Sequence, residues 1–505
     1  MRHLSVAAAV VVSAFALTRT AWAADIPTRV LVDKTPVAVA PSWTGLYVGG
    51  GVGYGMYNLD TIWLLPTGAP FQPLTQTQGG RGWLGTVTVG YDYQFNDNIV
   101  AGVFTDYDFA SIKGTIQDQA PFTVGTITER SAWAIGARAG WLVTPQVLPY
   151  VNGGYTQAHF SSVNMVSNAI VPPVQPPVGT LVSTIPSQAY SGWFVGGGVE
   201  ANFAPGWFWR NEYRYASYAS KTLQDTCAIP TFCGGPLVDL VSIHPYVQTV
   251  RSEIIYKFNS GGQSNTYSPP PPMAAFSWTG LYVGGGVDYG MYNADTIWLR
   301  ASGAPFQPLT QTQGGRGWLG TVAVGYDYQF NNNIVAGVLA DYDLASIKGT
   351  IQDQNPFTVG TMTEHSAWAI GARAGWLVTP HVLPYANGGY TQAHFSSVNM
   401  VSNAFAVPLQ PPVGTVISTI PSQTYSGWFI GGGVETKLPW FGDGWFTRTE
   451  YRYASYGGKT LPDTCVQQAF CVATGAPISP MDRVSISPYV QTVRSEIIYK
   501  FNWGR

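Results

Sequence analysis

Long stretches of the chain alternate apolar and polar residues with a period of two, the pattern of strands with one face in an apolar medium. In 83–95, WLGTVTVGYDYQF, one face carries Trp83, Val87, Val89, Tyr91, Tyr93 and Phe95; the other carries Thr86, Thr88, Asp92 and Gln94. In 127–143, Trp133, Ile135, Ala137 and Trp141 oppose Arg130 and Arg138. In 193–203, Trp193, Val195, Val199 and Phe203 oppose Glu200 and Asn202. Eight such segments begin near Trp43, Arg81, Asn98, Thr126, Val147, Gln188, Trp207 and Ile243. Connections after the second, fourth and sixth are short, at 96–98, 144–146 and 204–206. The others are long and polar or Pro-rich, such as 61–74 and 162–187. Short turns at one end and long loops at the other predict a transmembrane barrel. A soluble barrel would instead turn the rows of Trp, Tyr and Val inward.

The whole pattern occurs twice. Trp43 and Trp278, Tyr91 and Tyr326, and Trp193 and Trp428 each stand 235 positions apart, a repeat of domain size. Residues 1–23 read as a signal peptide, with Arg2 and His3 before an apolar run and Ala21-Trp22-Ala23 as the cleavage site. Residues 24–41 read as a periplasmic leader, 42–258 as the first barrel repeat, 259–276 as a Gly/Ser/Pro linker and 277–502 as the second repeat. The predicted fold class is all-β: a transmembrane up-and-down antiparallel barrel, arranged as two tandem eight-stranded barrels. One sixteen-stranded barrel is the alternative, because the first strand of either copy can pair with the last strand of either. Closure within a copy costs less loop entropy; the larger ring would enclose a water-filled channel.

Composition supports the membrane reading. Charged residues are only 10% and aromatics 14%, against about 25% charged in soluble domains. The net charge of −2 gives no electrostatic basis for nucleic-acid binding. No later apolar run reaches the ~20 residues of a spanning helix, so the mature chain would cross as a closed barrel. The four cysteines form two local pairs, Cys227 with Cys233 and Cys465 with Cys471. In an exported protein these predict loop disulfides. No flanking ligand set suggests a metal site, and no cofactor is expected.

The opening SWTGLYVGGGVGYG, the Pro-rich leader behind an Ala-x-Ala site and the closing VQTVRSEIIYKF resemble the small porin-like outer-membrane β-barrel family of alphaproteobacteria. That family includes immunogenic and haem-binding surface proteins. The resemblance covers both copies and implies an eight-stranded outer-membrane barrel in each. It departs in carrying the domain twice and in continuing past the last aromatic of the closing strand, to Asn-Trp-Gly-Arg. Implied partners are outer-membrane lipid, lipopolysaccharide and the barrel-assembly machinery.

Alternation also predicts what faces the lumen. In repeat 1 these are Arg138, Glu200, Arg210, Glu212, Arg214, Arg251 and Glu253, with Lys257. In repeat 2 they are Arg373, Glu435, Arg448, Glu450, Arg452, Arg494 and Glu496, with Lys500. Unpaired charge in a narrow lumen is costly, so these groups should pair and plug it. A wider barrel would turn them into a selective constriction, hence a porin-like channel. A third reading places haem binding or adhesion in the loops. No catalytic set stands out: His159 and Ser161, with His394 repeating the histidine, have no third orienting group.

Overall fold

The computed structural model describes residues 42–501 apart from 119–121, 169–175, 231–236, 259–276, 331–332, 354–356, 404–410, 439–440 and 468–481. The signal peptide, leader and linker, and Cys233 and Cys471, lie outside the described residues. Repeat 1 contains β1 (Gly45–Leu64), β2 (Pro70–Gln94), β3 (Ile99–Asp118), β4 (Thr123–Trp141), β5 (Val147–Phe160), β6 (Val163–Ser167), β7 (Leu181–Ile185), β8 (Gln188–Ala204), β9 (Trp207–Tyr218), β10 (Lys221–Cys227) and β11 (Leu237–Phe258). Repeat 2 contains β12 (Gly280–Arg300), β13 (Pro305–Phe330), β14 (Ile334–Asp353), β15 (Thr358–Trp376), β16 (Val382–Phe395), β17 (Val398–Ser402), β18 (Val416–Ile420), β19 (Gln423–Lys437), β20 (Trp445–Tyr456), β21 (Lys459–Cys465) and β22 (Asp482–Phe501).

Every strand pairing among the described residues is antiparallel, and each repeat closes on itself. In repeat 1 the ring runs β1–β2–β3–β4–β5–β8–β9–β11 and returns to β1, where Leu46 faces Phe258 and Tyr54 faces Val250. In repeat 2 it runs β12–β13–β14–β15–β16–β19–β20–β22 and returns to β12, with Leu281 opposite Phe501. The opening strand of each copy thus takes the closing strand of its own copy. The result is two eight-stranded barrels with separate lumens.

The outer face carries a band of exposed apolar side chains, including Val103, Ile135, Val151 and Val195. Aromatics border it on both sides: Phe95, Trp141, Phe203 and Trp207 at the short-turn end, Phe109, Trp133 and Trp193 at the other. From Phe203 to Trp193 is about 33 Å of strand, or ~25 Å at a 40° tilt, the height of the apolar band of an outer-membrane barrel. Strand β1 has 20 residues, so it overshoots that band by a wide margin. The wall projects beyond the membrane on the long-loop side.

This projection corrects the expected loops. Residues 61–74 are mostly strand: β1 runs to Leu64 and β2 starts at Pro70. Within 162–187, β6 and β7 form a hairpin, and β10 precedes β11. Ladders β4–β6, β6–β7, β7–β10 and β10–β11 continue the wall above β5, β8 and β9. Proline-rich tips hid these strands, yet each edge they meet offers unpaired backbone groups that a ladder satisfies. A second correction concerns Arg130, expected on the inner face with Arg138. Register shifts between Phe109 and Ile112 on β3, and between Glu129 and Ser131 on β4, interrupt the alternation. A bulge changes which side chains point inward, so Glu129 is buried and Arg130 is exposed.

Candidate functional site

The lumen of repeat 1 is filled in layers. At the short-turn end Trp43 packs on Phe208, ring centroids 4.9 Å apart, and its indole donates to the carbonyl of Pro145 at 2.9 Å. Above this plug lies a first charged tier. Glu200, fully buried, sits 2.7 Å from Arg138, 2.8 Å from Arg210 and 2.9 Å from Lys257. Asp92 accepts from Arg138 and, at 2.6 Å, from Lys257, while Arg210 reaches Glu253 at 3.3 Å. The Lys257 ammonium also lies 4.5 Å from the Trp43 ring centre, a cation–π contact that seats it on the plug.

A second tier follows toward the outside. Arg214 grips Asp106 with two hydrogen bonds, at 3.0 and 2.7 Å, and lies 2.8 Å from Glu212. Arg251 bridges Asp106 at 3.2 Å and Asp108 at 2.5 Å. The phenol of Tyr150 and the amide of Asn152 donate to Glu212 at 2.9 and 2.7 Å. Small residues make room for these groups; a Cβ on Gly196 would lie 2.6 Å from Asn152 Oδ1. Above the second tier Tyr57, Phe160 and Tyr190 stack edge to face with centroids 5.6 Å apart. A cavity beside Arg251 and Glu129 has a volume of about 10 Å³, and its counterpart in repeat 2 about 20 Å³, the scale of a single water.

Repeat 2 builds the same tiers. Glu435 holds Arg373 at 2.8 Å, Arg448 at 2.9 Å and Lys500 at 2.9 Å; Arg448 also reaches Glu496 at 3.1 Å. Arg452 lies 2.9 Å from both Glu450 and Asp341, and Arg494 lies 3.2 Å from Asp341 and 2.6 Å from Asp343. Every glutamate and arginine expected in the lumens is buried there and takes part in an ion pair. The lumen set expected from alternation placed the arginines and lysines against glutamates alone. It left out the aspartates: Asp92, Asp106 and Asp108, and Asp327, Asp341 and Asp343. The signal was available, since alternation from lipid-facing Tyr91, Tyr107 and Phe109 turns the first three inward.

The structure does not assemble His159 and Ser161 into a dyad. His159 is exposed, whereas the Ser161 hydroxyl is buried and accepts from the Thr128 N–H at 3.2 Å. Cys227 ends β10 and Cys465 ends β21. Among the described residues one carboxylate group converges closely enough to hold a hard cation: Asp118, Asp225 and Asp239, with oxygens within 4.8 Å of one another. It lies in the projecting wall. Gln72 donates to Asp118 at 2.9 Å and Ser183 to Asp225 at 2.7 Å. Burial pushes the Asp225 carboxyl up to about 6, and burial with the charges of Asp118 and Asp225 pushes Asp239 up to about 10.

Two closed rings with an aromatic-bordered apolar exterior describe an integral outer-membrane protein, and comparison with known families agrees. The outer membrane protein beta-barrel domain matches residues 7–228 and 268–469. The chain belongs to that family. Among curated relatives, the 31 kDa outer-membrane immunogenic proteins of Brucella melitensis biotype 1 and Brucella suis biovar 1 are each 26% identical over 199 residues, covering 38% of this chain and 77% of theirs. Among solved structures, Neisserial surface protein A is 16% identical over 43% of this chain and 98% of its own, with a TM-score of 0.21. A Pseudomonas aeruginosa FadL homologue is 10% identical over 91% of both chains, with a TM-score of 0.25. Superpositions this loose add nothing to the fold read from the strand pairing.

Proposed function

We propose that this family member is a non-enzymatic outer-membrane protein with a structural and surface-display role, each lumen sealed rather than conducting. The supporting observation is the double tier of ion pairs across each lumen. Glu200 with its three cationic partners, and Glu435 with its three, span the ring from several walls. An eight-stranded ring is just wide enough for side chains to fill. What the sealed rings hold up is the projecting wall, with β6, β7 and β10 on its outward side. The Brucella relatives are named as immunogenic, which suits a surface-displayed wall. Outer-membrane lipid, lipopolysaccharide and the barrel-assembly machinery are the partners this role requires.

Planar-bilayer recording tests the reading. Purified protein is expected to give no stable conductance steps, while Arg138→Ala combined with Arg251→Ala should introduce a leak through repeat 1. Large, long-lived steps of the nanosiemens class from the unaltered protein would replace this reading with that of a pore for small hydrophilic solutes.

A further inference from the structure

Alternation places Arg81 on the outer face of β2, two residues from Trp83, where a charge would meet lipid. It does not meet lipid. Its guanidinium makes two hydrogen bonds to Asp295 of repeat 2, at 3.0 and 2.6 Å, and its carbon lies 3.8 Å above the Tyr489 ring. The counterpart Arg316 does the same to repeat 1, bonding Asp60 at 3.1 and 2.6 Å and lying 3.7 Å above Tyr246. The whole face is reciprocal in this way. Asn58 donates to the carbonyl of Tyr292 at 3.4 Å, and Asn293 to that of Tyr57 at 3.3 Å. The Leu74 N–H donates to Asn403 and the Leu309 N–H to Asn168, both at 2.8 Å.

Where the two halves meet on the axis, a residue meets its own counterpart. Gln78 forms a β-bridge with Gln313, and Phe122 packs on Phe357 with ring centroids 5.6 Å apart. Close approach there depends on glycine. A Cβ on Gly79 would lie 2.4 Å from the Asn293 amide, and one on Gly314 would lie 2.5 Å from that of Asn58. Contacts that repeat with roles exchanged define an isologous interface, the form taken by two-fold homodimers. Both barrels must insert in the same sense, so the pseudo-two-fold axis runs along the membrane normal.

We infer that each repeat carries a self-recognition face whose partner is a second copy of the same repeat, and that the linker tethers a pair of barrels that would hold together without it. The chemistry suits a membrane setting. Bidentate Arg–carboxylate pairs capped by tyrosine rings are strong where water is scarce. Glycine and asparagine at the contact are the small and polar residues that bring membrane segments together. The face carries opposite charges side by side, so it presents the same charge pattern to either copy.

The test uses the full chain with a protease site placed in 259–276 and an affinity tag on repeat 2. After insertion into membranes and cleavage of the linker, repeat 1 is expected to co-purify with repeat 2 in mild detergent. Arg316→Asp should lower that recovery at least about tenfold, because it removes a partly buried bidentate pair and sets two carboxylates against each other. Asp60→Arg added to Arg316→Asp restores an oppositely signed pair and should recover it. Heat-shifted mobility on cold gels shows in each case that both halves are folded. The inference falls if the wild-type halves separate while both remain folded. It falls equally if they stay together and Arg316→Asp makes no difference, or if the swapped pair fails to restore what the single change removed.

Discussion

The two repeats share one lumen design and differ at a few telling positions. On the inner face of β1, Gly53 sits tight against its neighbour: an added Cβ would lie 2.5 Å from the Val250 carbonyl, so a side chain there needs the backbone to shift. Repeat 2 puts Asp288 there, almost fully buried, accepting from the Thr321 hydroxyl and from the Ser495 N–H at 2.9 Å. Thr321 Oγ also lies 2.6 Å from Asp343. Besides Glu129 and its counterpart Glu364, repeat 1 thus sets six ion-paired carboxylates (Asp92, Asp106, Asp108, Glu200, Glu212, Glu253) against five cations (Arg138, Arg210, Arg214, Arg251, Lys257), and repeat 2 adds one more carboxylate, Asp288, to the matching set. At the rim, Leu65 of repeat 1 corresponds to Arg300 of repeat 2. The lesson is that the lumen accepts another charge where a donor is already in reach, while the sealing pairs themselves keep their types.

The largest effect should come from removing the hub of the first tier. Glu200→Ala leaves Arg138, Arg210 and Lys257 buried without their shared partner, and Glu435→Ala does the same in repeat 2. Each is expected to cost about 3–5 kcal/mol. Urea unfolding followed by tryptophan fluorescence should show one transition moved and the other left in place; both moving together would mean the repeats are not separate folding units. Next comes Thr321→Ala, expected to cost about 1–3 kcal/mol because buried Asp288 loses its hydroxyl donor and keeps only the Ser495 N–H. Thr86→Ala in repeat 1, where no Asp288 counterpart exists, should cost less in the same titration.

A pH experiment separates the two rims. Asp239 is raised to about 10 by burial, Asp118 and Asp225; Asp482 reaches only about 7, raised by burial and Asp463 and pulled back by Arg300. The unfolded value is about 3.9. A carboxyl raised in the folded state stabilises while protonated, and that contribution is lost as pH climbs through the folded value. Asp225 and Asp463, both near 6, lose theirs before neutrality. Between pH 7.5 and 10 the β10–β11 hairpin should therefore loosen and its repeat 2 counterpart should not. Limited proteolysis of liposome-inserted protein in a chelator reads this directly, and Arg300→Leu should make repeat 2 behave like repeat 1. Reduction tests the rims chemically. Peptide mapping of unreduced protein should find Cys227 joined to Cys233 and Cys465 to Cys471; opening loops this short should cost at most about 2 kcal/mol, less than a long loop would.

Much of this was legible because a strand's alternation fixes which side each residue takes. Arg138, Glu200 and the alternating charges of β9 could be assigned inward without any knowledge of partners. The strands above the membrane were not legible: β6, β7 and β10 span only 5, 5 and 7 residues, too short for a period of two to stand out, and each mixes apolar with polar residues. Arg130 was misassigned because a bulge resets the count. Arg81 is legible in the same way: an arginine at a lipid-facing position is itself a sign that something other than lipid lies opposite.

The tiers of charge carry one more consequence, for assembly. The stretch VQTVRSEIIYKF occurs at both 247–258 and 490–501, so the seam offered to β1 by β11 and by β22 is chemically the same. Loop closure discriminates weakly, by ~0.6 kcal/mol for each doubling of length. A wrongly zipped sixteen-stranded ring would set the five cations of each repeat too far from the carboxylates on the opposite wall. Charges spaced for a narrow ring act as a checksum: they are satisfied only when each strand has found the partner from its own copy.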